Sequence, residues 1–228
     1  MGLCVQNIRR ADPQAVAALG QYGVATIHEA QGRSGLMAAE ISPVWAAPRI
    51  AGPAVTVSAA PCDNWMIHVA IEQCHPGDVL VVAPTSESDA GYFGDLLAVA
   101  LKTRGVKGLV IDAGVRDIAD LRALEFPVWS KCVHAQGTVK ETVGSVNVPI
   151  VCAGRIVNPG DVIIADEDGV VVVPLDRASE VAKLSEEREI KEAKIRERYR
   201  NGELGLDMNN MRGPLAEKGL VYVDQADL

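Results

Sequence analysis

The chain has 228 residues, 48% of them hydrophobic, with 22 Lys and Arg against 30 Asp and Glu and a formal net charge of −8. This length and composition predict one domain over 1–228, with a core over about 1–175 and a C-terminal helical extension over about 176–228. The acidic balance argues against a nucleic-acid or membrane-surface partner, so an anionic substrate would need a local cation or a bound metal.

Helical and extended patterns alternate along the chain. Asp12 and Pro13 predict a first helix ending near Leu19, and Thr26 to Glu29 has the spacing of a capping box. Strands are predicted over 54–58, 78–83, 108–112 and 127–130, with intervening helices over 64–73, 96–104 and 118–124. Strands over 161–165 and 170–173 flank Asp166-Glu-Asp-Gly169, a predicted hairpin turn. This order indicates a mixed α/β sheet layered with helices.

The segment from Asp176 to about Arg200 is highly charged, with Glu, Lys and Arg at many i, i+4 spacings. Its apolar stripe is thin and consists of Val181, Leu184, Ile195 and Tyr199. Two interpretations stay open: a solvated helix held by weak ion pairs, or a helix that lies across a neighbouring subunit.

The cysteines and the apolar segments of the sequence indicate the cellular compartment of the protein. The five cysteines are odd in number and contain no C-x-x-C pair, so neither a disulfide framework nor a zinc knuckle is indicated. No segment approaches the roughly 20 apolar residues of a membrane span, and the N-terminus lacks the apolar stretch of a secretion signal. The sequence therefore predicts a cytoplasmic protein.

Two short segments carry the strongest functional signal, Gly94-Asp-Leu-Leu97 and Gly114-Val-Arg-Asp117. Asp95 occupies a predicted N-cap, so the backbone N–H groups of the next two residues, Leu96 and Leu97, should point out of the helix start and attract an anion. Arg116 and Asp117 should emerge beyond the carboxyl end of a buried strand, where α/β sheets bind ligands. The pair predicts a site for a divalent metal and a small anion.

Each of these residues also has a structural interpretation. Asp95 can be only a helix cap, and Asp117 can cap the helix that follows it, since Asp is a preferred cap residue. Arg116 can simply pair with Asp112 or Asp117. The convergence of three such side chains on one sheet edge, beside glycines that admit a ligand, favours the functional interpretation.

The motifs resemble those of a known enzyme family. Asp95, twenty intervening residues and then Arg116-Asp117 match the D-x20-R-D pattern of the metal-dependent 4-hydroxy-4-methyl-2-oxoglutarate aldolases, also called 4-carboxy-4-hydroxy-2-oxoadipate aldolases. The resemblance extends to Tyr22–Gly32, Gly91–Leu97 and Gly202–Asp207. The same fold is shared with the regulator of ribonuclease E activity, a non-catalytic relative, whereas the C-terminal extension is associated with the aldolases.

The resemblance implies a swivelling α/β/α sandwich with a mixed sheet and a C-terminal helical extension. It also implies a homotrimer or homohexamer in which a glutamate of the C-terminal helix completes the metal site of the next protomer. By position that glutamate is Glu192, with Glu189 as the nearest alternative.

The implied reaction is cleavage of a 4-hydroxy-2-oxo diacid through a metal-stabilised pyruvate enolate, in the degradation of aromatic compounds. Asp117 is the expected direct metal ligand, with Asp95 and Glu192 holding metal-bound waters, a set that suits Mg²⁺, with Mn²⁺ as a substitute. Arg116 would contact the 2-oxo oxygen, while the backbone N–H groups of Leu96 and Leu97, beside Gly94, would bind the pyruvyl carboxylate. The same charge stabilisation predicts oxaloacetate decarboxylation as a side activity.

Proton transfer and recognition of the distal carboxylate are less defined by sequence. None of His28, His68, His75 and His134 is in a compelling position, and a structural or surface role is expected for each, so a metal-polarised water is the preferred proton carrier. Asn64, Arg33 and residues of a neighbouring subunit are the candidates for the distal carboxylate.

Two alternatives compete with the metal-dependent enzyme. A Schiff-base aldolase would use a desolvated lysine, for which Lys102, Lys107 and Lys131 are the candidates, and would be insensitive to chelators. A non-catalytic binding protein, similar to the ribonuclease E regulator, would need neither Glu192 nor the segment from Gly202 to Asp207.

Overall fold

A mixed β-sheet organises the N-terminal part of the chain, in a computed structural model that describes residues 2–46 and 48–227. The described strands are β1 Ser42–Pro43, β2 Ile50–Ala59, β3 Val79–Pro84, β4 Gly91–Phe93, β5 Gly108–Val115, β6 Val128–Val133, β7 Ser145–Val146, β8 Ile150–Cys152, β9 Arg155–Val157, β10 Val162–Asp166 and β11 Gly169–Val173. The described helices are α1 Pro13–Leu19, α2 Val24–Ala30, α3 Trp65–Gln73, α4 Asp95–Thr103, α5 Ile118–Ala123, α6 Ala178–Arg200, α7 Gly205–Met208 and α8 Arg212–Glu217. The chain divides into two units, Met1–Glu186 and Glu187–Leu228.

The sheet has a parallel centre and antiparallel edges. Its order is β1-β6-β5-β3-β2-β10-β11, with β4 pairing with β5 and β7 pairing with β2. Strands β2, β3, β5 and β6 are parallel to one another, whereas β1 and β7 pair antiparallel with β6 and β2, and β10 and β11 continue the sheet antiparallel beyond β2. The predicted mixed α/β sheet is thus confirmed. The parallel strands bring their carboxyl ends to one edge, where the loops before α4 and α5 begin.

Helices α3, α4 and α5 connect successive parallel strands and cover one face of the sheet. Their buried residues Ile67, Leu101 and Leu121 pack against sheet residues such as Leu80 and Leu109. The strands are buried on both faces, as expected for the Val- and Ile-rich segments of a parallel sheet. This packing fixes the starts of α4 and α5 relative to the strand ends.

Other segments cover the rest of the sheet. The separate β8–β9 hairpin supplies Ile150, Cys152 and Val157 to a second core with Trp129 and Ile163. A third core holds α1, α2 and the first turns of α6 against β10 and β11. Every face of the parallel centre is therefore covered, and the ligand-accessible positions lie at its edges.

Most predicted elements are confirmed, with informative differences at their ends. The strand predicted over 108–112 continues to Val115, because Gly114 and Val115 pair with β4, a short strand that was not predicted. The capping box at Thr26 is wrong: α2 begins at Val24, and Asp166 Oδ2 accepts from the backbone N–H of Val24 at 2.9 Å. The hairpin over Asp166–Gly169 is confirmed by direct pairing of those two residues.

The charged helix predicted from Asp176 begins at Ala178, after a 3-10 turn over Leu175–Arg177. Its buried residues are Ala178, Val181, Ala182 and Ser185, all within the first unit. In the second unit, the remainder of α6 and helices α7 and α8 carry ion pairs such as Arg212 with Asp207 at 2.6 Å. Across residues 2–46 and 48–227, no helix combines the length and the apolar character needed to cross a membrane.

Candidate active site

Asp117 lies at the carboxyl edge of the sheet. It follows β5 closely and adopts a left-handed conformation with φ of 59° at the N-cap position of α5. Its side chain makes no capping hydrogen bond to that helix. The carboxylate instead faces α4, where Asp117 Oδ2 lies 3.4 Å from the backbone nitrogen of Asp95. Asp117 is thus a cap by position only, and its carboxylate is directed to the neighbouring helix start.

Gly94 brings the start of α4 against this carboxylate. The N-cap of α4 is Gly94 and not Asp95, which is the first helical residue, so the predicted cap assignment is wrong by one position. A Cβ atom at Gly94 would lie 2.1 Å from Asp117 Oδ2, closer than any side chain allows. The first intrahelical bond runs from Ala98 N to Gly94 O at 3.1 Å. The backbone N–H groups of Leu96 and Leu97 precede that bond, as predicted.

Arg116 completes the corner. Its backbone nitrogen donates to Phe93 O at 2.9 Å, which ties the end of β5 to the end of β4. Its guanidinium Nε lies 3.6 Å from Asp117 Oδ2, and 47% of the side chain is exposed. Of the two predicted partners, Asp117 is therefore the one found, whereas Asp112 Oδ2 accepts from Ala153 N at 2.8 Å. The guanidinium is close to the carboxylate yet accessible to a ligand.

The corner opens into a cleft of about 260 Å³. The six residues of the first unit that were predicted to bind the anion or the metal all line this cleft, and six other residues line it with them. The lining residues are Asn64, His68, Ile71, Tyr92, Gly94, Asp95, Leu96, Leu97, Ala100, Arg116, Asp117 and Lys140. The cleft thus combines two carboxylates, two cations, one imidazole and an open helix start.

His68 and Lys140 form the side of the cleft that sequence reasoning missed. Burial lowers the pKa of His68, and the nearby Lys140 ammonium lowers it further. The imidazole is therefore neutral at pH 7 and lines the cleft, and the structural or surface role expected from its sequence position stays a prediction. Lys140 lies in an irregular segment between β6 and β7, where no local pattern marks it as a site residue.

The two candidates for the distal carboxylate differ in the structure. Asn64 is 8% exposed, and its Nδ2 donates to Tyr92 O at 2.8 Å. Among the described residues Asn64 Oδ1 has no hydrogen-bond partner, so the amide offers an acceptor, which suits a hydroxyl group and not a carboxylate. Arg33 follows α2 and pairs with Glu29 at 3.0 Å, and it is not among the described residues that line the cleft.

A comparison with family models matches residues 24–172 to the RraA-like family described as Aldolase/RraA. This match covers most of the first unit and includes every cleft residue. The chain belongs to the Aldolase/RraA family. The family places the cleft described above in a fold that is shared by proteins named as aldolases and by proteins named as inhibitors of ribonucleases.

Individual members of the Aldolase/RraA family show both names. A protein of Halalkalibacterium halodurans, provisionally named 4-hydroxy-4-methyl-2-oxoglutarate aldolase, is 34% identical over 149 residues, which are 65% of this chain and 71% of that protein. The crystal structure of Streptomyces coelicolor RraAS2, described as an unusual member of the RNase ES inhibitor RraA protein family, is 29% identical with a TM-score of 0.73 and covers 83% of this chain and 100% of that chain. A structure from Pseudomonas syringae pv. tomato has a TM-score of 0.76 at 26% identity, over 90% of this chain and 100% of that one.

Asp95 and Asp117 are the carboxylates of the first unit that were predicted to hold a divalent cation. Asp95 and Asp117 both line the cleft, and the Asp117 carboxylate is not used as a helix cap. Within residues 2–46 and 48–227 no cluster of three or more His, Cys, Asp or Glu is arranged to hold a metal. One direct carboxylate ligand, with a second carboxylate on metal-bound water, would suit Mg²⁺, which retains several waters, better than a metal that demands a full protein cage.

Glu192, predicted as the third carboxylate, belongs to the second unit. There its carboxylate pairs with Arg188 at 2.8 Å and with Arg196 at 3.3 Å. The alternative, Glu189, also pairs with Arg196, at 2.8 Å. The assignment of either glutamate to a metal site stays a prediction.

The lysines of the Schiff-base alternative lie elsewhere. Lys102 Nζ donates to Leu124 O, and Lys131 Nζ lies 3.3 Å from Asp89 Oδ1. Neither these two nor Lys107 is among the described residues that line the cleft. Lys140 does line it, and it is therefore the lysine that a trapping experiment must address.

Proposed function

We propose that this member of the Aldolase/RraA family is a divalent-metal-dependent aldolase that cleaves 4-hydroxy-2-oxo diacids to pyruvate and a second oxo acid. The substrates proposed are 4-hydroxy-4-methyl-2-oxoglutarate and 4-carboxy-4-hydroxy-2-oxoadipate. The observation that carries the proposal is the Asp117 carboxylate, which is turned away from its own helix toward an open helix start and lies beside an accessible arginine.

The residues of the corner suit the pyruvyl end of such a substrate. The N–H groups of Leu96 and Leu97, at the positive end of α4, would bind its carboxylate. Arg116 would donate to the 2-oxo oxygen and stabilise the charge that develops there. A divalent cation held by Asp117, with Asp95 on its bound water, would supply Lewis-acid stabilisation of the same charge.

The opposite side of the cleft suits the distal end. When the bond between carbons 3 and 4 breaks, its electron pair enters the pyruvate enolate and the 4-hydroxyl proton must leave. Asn64 Oδ1 can accept from that hydroxyl, and the neutral imidazole of His68 is available to take its proton. Lys140 places a positive charge on this side, which favours a second carboxylate on the substrate.

The direct test is pyruvate release from both substrates with Mg²⁺, compared between wild type, Asp117→Ala and Arg116→Ala. We expect kcat/KM to fall by about 10²- to 10³-fold in each variant, because each loses charge stabilisation at the reacting carbons. EDTA should abolish activity, and added Mg²⁺ or Mn²⁺ should restore it. Unchanged rates in both variants would rule out this corner as the active site.

Two further measurements separate the alternatives. Borohydride added with substrate should form no adduct at Lys140 or at any other lysine, whereas a Schiff-base enzyme would be trapped. Wild-type protein with no cleavage of either substrate, and none of oxaloacetate, would favour a non-catalytic binding function, such as the ribonuclease inhibition for which the family of the Streptomyces protein is named.

A further inference from the structure

The segment that carries Lys140 is tied to the loop before α3. The backbone of Val139 donates to Cys62 O at 2.9 Å, and Asn64 N donates to Val139 O at 3.1 Å. These bonds form an isolated parallel bridge between Asp63 and Val139. The segment between β6 and β7 otherwise has no regular structure, so these contacts hold the backbone on the N-terminal side of Lys140.

Asp63 secures the other side of Lys140. Its side chain is almost fully buried, with the residue 2% exposed. Asp63 Oδ2 accepts from Glu141 N and from Thr142 N, both at 2.7 Å. Asp63 Oδ1 accepts from Trp65 N, the first residue of α3, at 2.8 Å. One carboxylate thus joins the Lys140 segment to the helix that carries His68.

The charge of Asp63 is maintained in this environment. Burial by itself would raise the pKa of Asp63, but the N–H groups of Glu141, Trp65 and Thr142 and the charge of Lys140 outweigh it, and the pKa is lowered. A buried carboxylate that accepts three backbone hydrogen bonds and remains ionised is a strong and directional anchor. Glu141 and Thr142 lie 78 and 79 residues from Asp63 in the chain, so the carboxylate joins two distant segments.

We propose that Asp63 is a positioning residue that holds Lys140 on the cleft wall, where the Lys140 ammonium binds the distal carboxylate of a 2-oxo diacid. This inference rests on the proposed function, because it requires the pyruvyl end of the ligand to occupy the Asp117 corner. Without the anchor, a side chain on an irregular segment would lose conformational entropy each time it bound the carboxylate. Asp63 would therefore determine substrate class and not the chemical step.

A matched pair of ligands isolates the effect. 2-Oxoglutarate and 2-oxopentanoate have the same chain length and differ only in the distal carboxylate, and neither carries the hydroxyl group needed for cleavage. We expect wild-type protein with Mg²⁺ to bind 2-oxoglutarate about tenfold more tightly in calorimetric titrations, as for one charge-assisted hydrogen bond. Asp63→Asn should remove this preference while the affinity for 2-oxopentanoate stays within about twofold. An amide has a single acceptor oxygen, so it cannot accept both from Trp65 N and from the N–H groups of Glu141 and Thr142, and the junction between the two segments is weakened in either orientation.

A double-mutant cycle shows whether Asp63 acts through Lys140. Lys140→Gln should remove the same preference, and Asp63→Asn in the Lys140→Gln background should change it no further. Asp63→Ser is the second variant, because its hydroxyl can still accept from Trp65 N while the bonds to the Lys140 segment are lost. If Asp63→Asn folds poorly, Asp63→Ser still tests the positioning role.

Asp161→Asn is the matched control. Asp161 is also a buried carboxylate, 4% exposed, that accepts backbone hydrogen bonds from Asn158 and Leu175, away from the cleft. It should lower stability and leave the ligand preference unchanged. A preference that survives Asp63→Asn or Asp63→Ser would overturn the positioning role and leave the proposed function standing. Wild-type protein that binds neither ligand would instead contradict the proposed function.

Discussion

Gly94 is the residue at which the corner tolerates no side chain. Its φ of −153° is an extended conformation open to any residue, so the constraint is contact and not backbone strain. The space a Cβ would need is already filled by Asp117 Oδ2, with Arg116 Cγ 3.3 Å away. The glycine therefore sets the distance between the start of α4 and the Asp117 carboxylate.

Gly94→Ala should displace that carboxylate and lower kcat/KM by about 10²-fold or more, since charge stabilisation depends on donor geometry. The free energy of unfolding should fall by only about 1–3 kcal/mol, as for local overpacking. Steady-state kinetics and urea unfolding measure the two effects. Gly213→Ala is the control, because a Cβ there meets nothing within 4 Å. Equal losses of activity in both variants would contradict the contact argument.

The pKa of His68 should rise when Lys140 is replaced by Gln. Burial, the larger cause, would remain, so the pKa should stay below its ordinary value while the contribution of the ammonium is lost. NMR titration of the imidazole measures this shift. Lys107→Gln, outside the cleft, should leave the His68 pKa unchanged. An identical titration curve in Lys140→Gln would show that the two side chains do not interact.

Site residues could be predicted from the sequence where a single helix and strand separate them, and could not where their contacts join distant segments. Asp95, Arg116 and Asp117 could be predicted because one helix and one strand separate them, and parallel βα geometry brings such ends together. Asp63 and Lys140 could not, because their relation depends on backbone hydrogen bonds across 78 residues between two irregular segments. Glu192 came only from the family resemblance and stays a prediction.

At the scale of elements, α2 shows how tertiary contacts replace a local cap. Gly23, its N-cap, has no side chain, and the N–H of Val24 is satisfied by Asp166 at the end of β10. Asp166 also accepts from Asp168 N at 3.0 Å within the hairpin turn. The sequence contained a plausible local signal at Thr26, but propensity is a weak guide where a distant carboxylate supplies the cap.

Asp166→Ala should therefore lower the free energy of unfolding by about 1–3 kcal/mol, because the buried N–H of Val24 and the partly buried N–H of Asp168 lose their acceptor. Urea denaturation followed by circular dichroism measures this loss. Glu167→Ala, an exposed position in the same turn, should change stability by less than about 0.5 kcal/mol. Equal stability of the two variants would mean that α2 does not depend on the hairpin for its cap.

The junction between the Lys140 segment and α3 should be sensitive to acid. Because the pKa of Asp63 is lowered in the folded protein, its contribution to stability is present above the unfolded pKa and is lost as the pH falls through the folded pKa. The difference in urea midpoint between wild type and Asp63→Asn should thus shrink as the pH is lowered through the acidic range. A difference that is constant with pH would contradict an ionised anchor.

At the scale of the whole molecule, the buried part of α6 ends before the boundary at Glu186. The residues that pack, Ala178, Val181, Ala182 and Ser185, all belong to the first unit. The second unit consists of the charged remainder of α6 and two short helices with surface ion pairs, each worth little to stability. We therefore expect the first unit to fold by itself.

A chain shortened to end at Glu186 should unfold cooperatively, with a free energy of unfolding within about 2 kcal/mol of the full chain. If Glu192 completes the metal site of a neighbouring protomer, the shortened chain and Glu192→Gln should both bind Mg²⁺ more weakly. Light scattering and calorimetry measure assembly and metal affinity. Lys194→Gln, in the same helix, is the control. Unchanged metal affinity in both would remove Glu192 from the proposed site.

The cleft draws its walls from four stretches of chain, around positions 64–71, 92–100, 116–117 and 140. The first three follow or include strands β2, β4 and β5, and the fourth is held by the anchor at Asp63. These stretches come together only when the strands that precede them are paired, so a bound ligand should slow hydrogen exchange in β2, β4 and β5 and not only beside itself. Occupancy of this small space thus reports whether those strands have assembled.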